Sequence, residues 1–344
     1  MTIPRAQHPG KQASAAAKLH YVSSWAAANK TFVILFLLFI PLSAGVLDSA
    51  NSLYSNGKVN ESIKLYKKAA LAGENPALCY FNLGNAYFQL DSLPQSIVYY
   101  KAALVYAPEF FRGYLNLAIT YFSLEDVGSC IATVHRALEL EPGHTKAMLI
   151  LAASYRKAGA HPQAIATFEH LSELEPEMDE PFIALAEMYR ELDDNKEAIK
   201  WLIRYPESGK NKQYVYALLA DIYEKEEDFS RALYYLKESF KLNKKNKWTY
   251  YRIVRMLEKM GNDLVALEET KKGLEIFPDF ADLALLGGNL AFKHEKYNEA
   301  ERLYIIARDN GSPGAVVGLE NIRIVRKMAD QENRFGEATT QSAE

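Results

Sequence analysis

The chain has 344 residues, 49% of them hydrophobic and 24% charged, with a formal net charge of -3 at pH 7. That balance supplies ample material for an apolar core and excludes nucleic acid as the main partner, which would call for a strongly basic face. Two cysteines are too few for a disulfide framework.

The first thirty residues carry Arg5, Lys11, Lys18 and Lys30 and no acidic group, and the run TFVILFLLFIPL follows, closed by Pro41. A basic flank, a short apolar run and the small residues Ser43, Ala44 and Gly45 have the order of a signal peptide, with cleavage after Gly45 leaving Val46 as the new start. Residues 1–45 are therefore read as a leader that exports the rest to the periplasm or cell envelope. An uncleaved anchor is the alternative for segment 31–45, which as a helix from Thr31 to Ala44 would rise about 21 Å against a hydrocarbon core of about 30 Å. The leader is longer than the ordinary ~15–30 residues, which allows a start downstream near Leu19 or Val22.

From Val46 onward one pattern returns every thirty-four residues, and it is clearest over 77–110. Tyr80, Leu83, Gly84 and Tyr87 stand at i, i+3, i+4 and i+7, one stripe of a helix. Ser96, Tyr100 and Ala103 mark a second helix, which Pro108 stops. Gly84 and Ser96 are small where two such helices would cross, so their backbones can approach closely. The unit is an antiparallel helix hairpin, with starts at Ser43, Ala77, Phe111, Thr145, Asp179, Gln213, Lys247 and Ala281 and the last unit ending at Gly314. The eighth residue of each reads Ala50, Gly84, Ala118, Ala152, Ala186, Ala220, Val254, Gly288, and the twentieth reads Ser62, Ser96, Cys130, Ala164, Ala198, Ala232, Ala266, Ala300. Tyr87, Tyr121, Tyr155, Tyr189 and Tyr223, at the eleventh position, read as core packing. Cys79 and Cys130 fall on helices of different units, beyond the ~7 Å Cα limit for a bridge.

Gly57, Gly159 and Gly261 sit at the turn between paired helices, where a left-handed residue is favourable. Asp91, Glu125, Asp193, Glu227 and Glu295 take that place elsewhere, at about 1 kcal/mol each if they adopt the same conformation. In the fifth unit Pro206 arrives early, so the helix should end near Tyr205 and leave a polar loop through Lys212 as a candidate hinge. Beyond the eighth unit, 315–329 reads as a capping helix with Val316, Leu319 and Val325 on its apolar face, and 330–344 as a polar, disordered tail.

The series Leu83, Gly84, Tyr87, Ser96, Tyr100, Ala103 and Pro108 resembles the tetratricopeptide repeat (TPR), with Ser96 the one departure. The resemblance implies an all-α, right-handed superhelix, an α-solenoid of eight repeats over 46–314. Residues 46–110 also resemble the opening repeats of exported TPR proteins from bacterial aerotolerance operons. In TPR proteins the first helix of each repeat lines a concave groove, and its second, fifth, sixth, ninth and twelfth residues tend to face the ligand. Carried onto this chain, those positions offer Asn51, Tyr54, Phe81, Asn82, Asn85, Phe88, Arg112, Asn116 and Phe122. Asparagine amides donate and accept, which suits a peptide backbone, and Arg112 can grip a carboxylate through two N–H groups. A second patch, Tyr214, Trp248, Tyr251, Arg252 and Arg255, has the composition of an interface hot spot. Against the dicarboxylate clamp of chaperone-binding TPR domains, Asn51, Asn85 and Arg112 match or approximate, while Leu47 replaces a lysine and Asn116 an arginine.

No G-x-x-x-x-G-K-[ST], H-E-x-x-H or G-x-S-x-G occurs, and His135, His144, His161 and His170 match no common metal spacing. The expectation is a non-enzymatic scaffold, without cofactor or metal, that binds a protein or peptide segment in its groove. The alternative is a membrane-anchored assembly factor for membrane protein complexes.

Overall fold

A computed structural model describes the backbone of residues 45–341 and the side chains through residue 331. Nearly all of the leader, with the apolar run expected at 31–45, lies outside the described residues. Seventeen helices and no strand are found among the described residues, and none of those helices is long and apolar enough to cross a membrane. They form eight hairpins: α1 (Val46–Ser55) with α2 (Val59–Leu71), α3 (Pro76–Gln89) with α4 (Leu93–Tyr106), α5 (Phe111–Ser123) with α6 (Val127–Leu140), α7 (Thr145–Lys157) with α8 (His161–Leu174), α9 (Asp179–Glu191) with α10 (Asn195–Ile203), α11 (Lys212–Lys225) with α12 (Phe229–Leu242), α13 (Lys247–Lys259) with α14 (Asp263–Ile276), and α15 (Ala281–Lys293) with α16 (Tyr297–Asp309). A final helix, α17 (Gly314–Gln341), follows. The chain divides into two compact units, the first through Leu140 and the second from Glu141, so the first described unit holds three hairpins and the second holds five with α17.

Small residues mark the helix crossings, with Val254 the one larger side chain among them. The six residues at the eighth position that carry a Cβ are fully buried, as are all eight at the twentieth. At Gly84 an added Cβ would lie 2.5 Å from the Tyr100 ring, and at Gly288 it would lie 2.5 Å from the Tyr304 ring. The tyrosines occupy the volume that glycine leaves, which is how close-packed interiors are filled. Of the eleventh-position tyrosines, Tyr121 and Tyr223 are buried and Tyr87, Tyr155 and Tyr189 half-buried. Cys79 and Cys130 are both buried and free.

The turns inside the hairpins share one geometry. The Ser92 N–H donates to Tyr87 O at 2.9 Å, Asp126 to Tyr121 O at 3.0 Å and Asp228 to Tyr223 O at 2.8 Å, the six-to-one bond of a Schellman ending. The residue before each donor must then be left-handed, and Asp91, Glu125, Asp193, Glu227 and Glu295 all are, with φ from 55° to 61°. The packing of the paired helices overrides the local preference of these acidic residues.

The fifth hairpin has the short second helix that Pro206 implies, nine residues ending at Ile203. Its loop, expected as a hinge, is fastened at several points. Asp179 Oδ2 accepts from the Lys210 N–H at 2.9 Å and from Asn211 Nδ2 at 3.1 Å, and the hydroxyl of buried Tyr205 accepts from the Asn211 N–H at 2.8 Å. At the chain end, α17 buries Ala315 and Ile322, with Leu319 and Val325 half-buried. Val316, expected on the apolar face, is 57% exposed, because the contacting stripe runs through 315, 318 and 322. The helix also continues through Gln341, past the boundary expected at 329. Residues 330–341 contain no proline to stop it.

Candidate functional site

The asparagines of the first unit form a ladder along the first helices of neighbouring hairpins. Asn51 Oδ1 accepts from the Tyr66 hydroxyl at 2.9 Å and from Asn82 Nδ2 at 3.0 Å. One hairpin on, Asn85 Oδ1 accepts from the Tyr100 hydroxyl at 2.7 Å and from Asn116 Nδ2 at 2.8 Å. Burial pushes the phenols of Tyr66 and Tyr100 up to about 12, so both remain donors throughout the ordinary pH range. The amides predicted to meet a peptide therefore serve first as acceptors for buried tyrosines and as rungs between hairpins. Each asparagine carries more donor and acceptor capacity than these bonds use.

A cavity of about 560 Å³ opens on this face, lined by Tyr54, Asn85, Phe88, Gln89, Asp91, Tyr100, Asn116 and Ile119. It brings together four of the predicted residues: Tyr54, Asn85, Phe88 and Asn116. Arg112 is exposed and stands one helical turn before Asn116 on the same face of α5, outside the lining. Among the described residues it makes no ion pair. Phe122 is half-buried and also lies outside the lining. Phe81, expected in the groove, is a core residue: it is 9% exposed and packs edge-on against Phe110 with ring centroids 4.8 Å apart.

The second patch divides differently from its expectation. Trp248 is 54% exposed and Tyr214 47%, but the two arginines are already engaged. Arg252 lies 2.6 Å from Asp221 and 3.0 Å from Glu224, which also meets Lys259 at 2.9 Å. Burial opposes ionisation of Glu224, yet Lys259 and Arg252 hold its carboxyl below the ordinary value. Arg255 lies 3.3 Å from Glu258. Half-buried Tyr251 packs beside Trp248 at 6.0 Å. Tyr214 donates to Glu187 at 2.7 Å, and Arg156 binds Glu187 at 3.0 Å. The first helices of the second unit are thus joined by ion pairs where those of the first use amides.

Sequence reasoning passed over Ile119 and Tyr100 as cavity residues. Ile119 occupies the ninth position of its hairpin, as Asn51 and Asn85 do, so the positional rule already contained it. The signal for Tyr100 is the pairing of asparagine with a tyrosine fifteen residues on, which recurs as Asn51 with Tyr66 and as Asn289 with Tyr304, the latter bonded at 2.9 Å. His144 is a helix cap, accepting from the Ala147 N–H through Nδ1 at 3.3 Å. Among the described residues no group of three His, Cys, Asp or Glu side chains could hold a metal ion.

Stacked helix hairpins with small residues at each crossing and a polar first-helix face define an α-solenoid scaffold. The chain belongs to the tetratricopeptide repeat family: one family model of that description matches residues 47–110 and 115–177, and a second matches 155–222. No curated protein matches the chain at significance. Among solved structures it is similar to the C-terminal part of a TPR repeat-containing protein from Cytophaga hutchinsonii, at 12% identity and a TM-score of 0.57, covering 70% of this chain and 99% of that one. It is also similar to a TPR protein from Parabacteroides merdae, at 14% identity and a TM-score of 0.46 over 72% and 98% of the two chains. MamA from Desulfovibrio magneticus gives 16% identity and a TM-score of 0.44 over 46% and 90%. The Cytophaga likeness supports the fold alone. Proteins of this family are, as a class, scaffolds for protein–protein interaction.

Proposed function

We propose that this chain is a non-catalytic scaffold, exported by its leader, that binds an extended segment of a partner protein in the cavity of its first unit. The observation that carries the reading is the cavity itself, where Tyr54, Phe88 and Ile119 supply apolar contact beside amides with unused hydrogen-bonding capacity on Asn85 and Asn116. A peptide there exchanges backbone hydrogen bonds with the amides, seats an apolar side chain against Phe88 and sets an acidic group near Arg112. The test is selection of a peptide from a displayed library on the full chain, followed by its titration against variants. Phe88→Ala, Asn116→Ala and Arg112→Ala should each weaken that peptide by roughly one to two powers of ten with helicity unchanged. Full binding by all three, with binding abolished by Trp248→Ala, would move the site to the second unit.

The run from Thr31 to Pro41 supports a second reading, in which the segment 31–45 is retained and tethers an assembly factor for membrane protein complexes. N-terminal sequencing of the protein from its native cell separates the two. A start at Val46 supports the released form, and an intact leader supports the anchor.

A further inference from the structure

The second unit carries a different concavity, of about 420 Å³, where Lys210, Asn211, Tyr214, Ser239, Asn246 and Thr249 meet. It lies between α11 and α13, beside the loops that lead into them. Those loops and the first residue of α13 hold four exposed lysines: Lys210, Lys244, Lys245 and Lys247. Among the described residues none of the four has a carboxylate within ion-pair distance. Elsewhere in this unit Lys212, Lys225, Lys241, Lys259, Lys271 and Lys293 each have one. Lys210 lines the concavity, and Lys244, Lys245 and Lys247 flank its lining residue Asn246 in sequence, Lys247 with its ammonium 4.9 Å from the centre of the Phe280 ring; together they add positive charge at this end of α13.

Aromatic surface adjoins that field. Trp248 follows Lys247 directly, and its ring is held edge-on by Phe280 at 5.1 Å while half of it faces solvent. Tyr214 is held by its bond to Glu187, so both rings are placed in advance. The helix start itself is closed, because Asn246 Oδ1 accepts from the Trp248 and Thr249 N–H groups at 3.1 and 3.2 Å. The positive charge at the site therefore comes from side chains on flexible stems, which meet carboxylates as point charges without demanding one spacing.

We propose that this concavity docks an acidic peptide segment carrying an aromatic or aliphatic side chain beside its carboxylates. The apolar side chain packs on Trp248 and Tyr214, and the carboxylates pair with the lysines. Glu177, Asp179 and Glu180 adjoin Lys210, so the carboxylates of a short segment pair with Lys244, Lys245 and Lys247, whereas a long phosphate backbone would run on past these acids. The site shares no residue with the asparagine-lined cavity.

The test uses the full chain and a fluorescein-labelled peptide of alternating Glu and Asp around one Phe, with a Gln/Asn counterpart of equal length. The acidic peptide should bind by fluorescence anisotropy and weaken as salt is raised, and the neutral one should not bind. Joint Lys244→Glu, Lys245→Glu and Lys247→Glu substitution should lower affinity by at least about tenfold, and Trp248→Ala should lower it while keeping the salt dependence. All four positions are exposed, and circular dichroism confirms that each variant is folded. Asn116→Ala should bind normally, which separates failure here from failure of the first site. Equal binding of the neutral peptide, indifference to the lysine reversals, loss through Asn116→Ala, or capture of a single-stranded oligonucleotide in place of the peptide would each overturn the proposal.

Discussion

Asn85 accepts two hydrogen bonds through one oxygen, from Tyr100 and from Asn116, and that gives the side chain a packing role beside the binding role proposed for it. Asn85→Leu removes the acceptor and leaves the Tyr100 hydroxyl without its partner, at about 1–3 kcal/mol. Tyr100→Phe alone should cost only about 0.5–1.5 kcal/mol, and the double variant should be more stable than Asn85→Leu by itself. Urea unfolding of the set checks this ordering, and equal midpoints for Asn85→Leu and the parent would remove Asn85 from the stabilising network. The tyrosines also set an alkaline limit. Burial raises Tyr66 and Tyr100 from the ordinary 10.0 to about 12, so the unfolded chain releases these protons at lower pH than the folded one. Their contribution to stability is complete below pH 10 and is lost as pH rises through about 12. The urea midpoint should carry no tyrosine-dependent fall below pH 10, and Tyr66→Phe with Tyr100→Phe should flatten the fall above it. Phenolate absorbance at pH 10 that the folded parent shows and the Tyr66→Phe, Tyr100→Phe double variant lacks would show these hydroxyls to be in water.

At the scale of the helix, contact between hairpin arms depends on what is missing from Gly84. Gly84→Ala places a Cβ 2.5 Å from the Tyr100 ring, and relief requires the ring or the helix to move, at about 1–3 kcal/mol. Gly128→Ala, on α6 where nothing lies within 4 Å, should be neutral or stabilising by up to about 1 kcal/mol. Thermal unfolding of the two variants makes the comparison, and matching losses would show that helix propensity decides the outcome and the crossing does not. The same logic explains the loop before α11. Its composition reads as a hinge, but Asp179 reaches it from the preceding hairpin and holds its backbone.

For the molecule as a whole, a repeat fold places nearly every stabilising contact between neighbours in sequence order, so damage should stay local. Ile322 is 1% exposed and belongs to the core cluster that includes Leu303, Tyr304 and Ala307. Ile322→Asp buries an unpaired charge there. Hydrogen exchange should quicken across α15, α16 and α17 while α1 to α6 keep their parental rates, and uniform loosening of every helix would refute the nearest-neighbour picture.

The period of thirty-four, the small residues at each crossing, the left-handed turn residues and the early stop at Pro206 were legible in the residues alone. Each is a local consequence of helix geometry, steric volume or backbone torsion, and such terms act within a few positions of the residue concerned. The polar face was legible only as a face. That Asn51 bonds Asn82, Asn85 bonds Asn116 and Asp221 bonds Arg252, always thirty-one residues apart, depends on how neighbouring first helices lie against each other. Helical spacing brings Arg252 and Arg255 to one side of α13 without saying that Asp221 and Glu224, from the preceding hairpin, are already there. Tertiary structure therefore decided which polar groups are engaged within the fold and which, such as Arg112 and the lysines around Trp248, have no carboxylate partner among the described residues, because ion pairs and hydrogen bonds are fixed by distances of a few ångströms between residues remote in sequence.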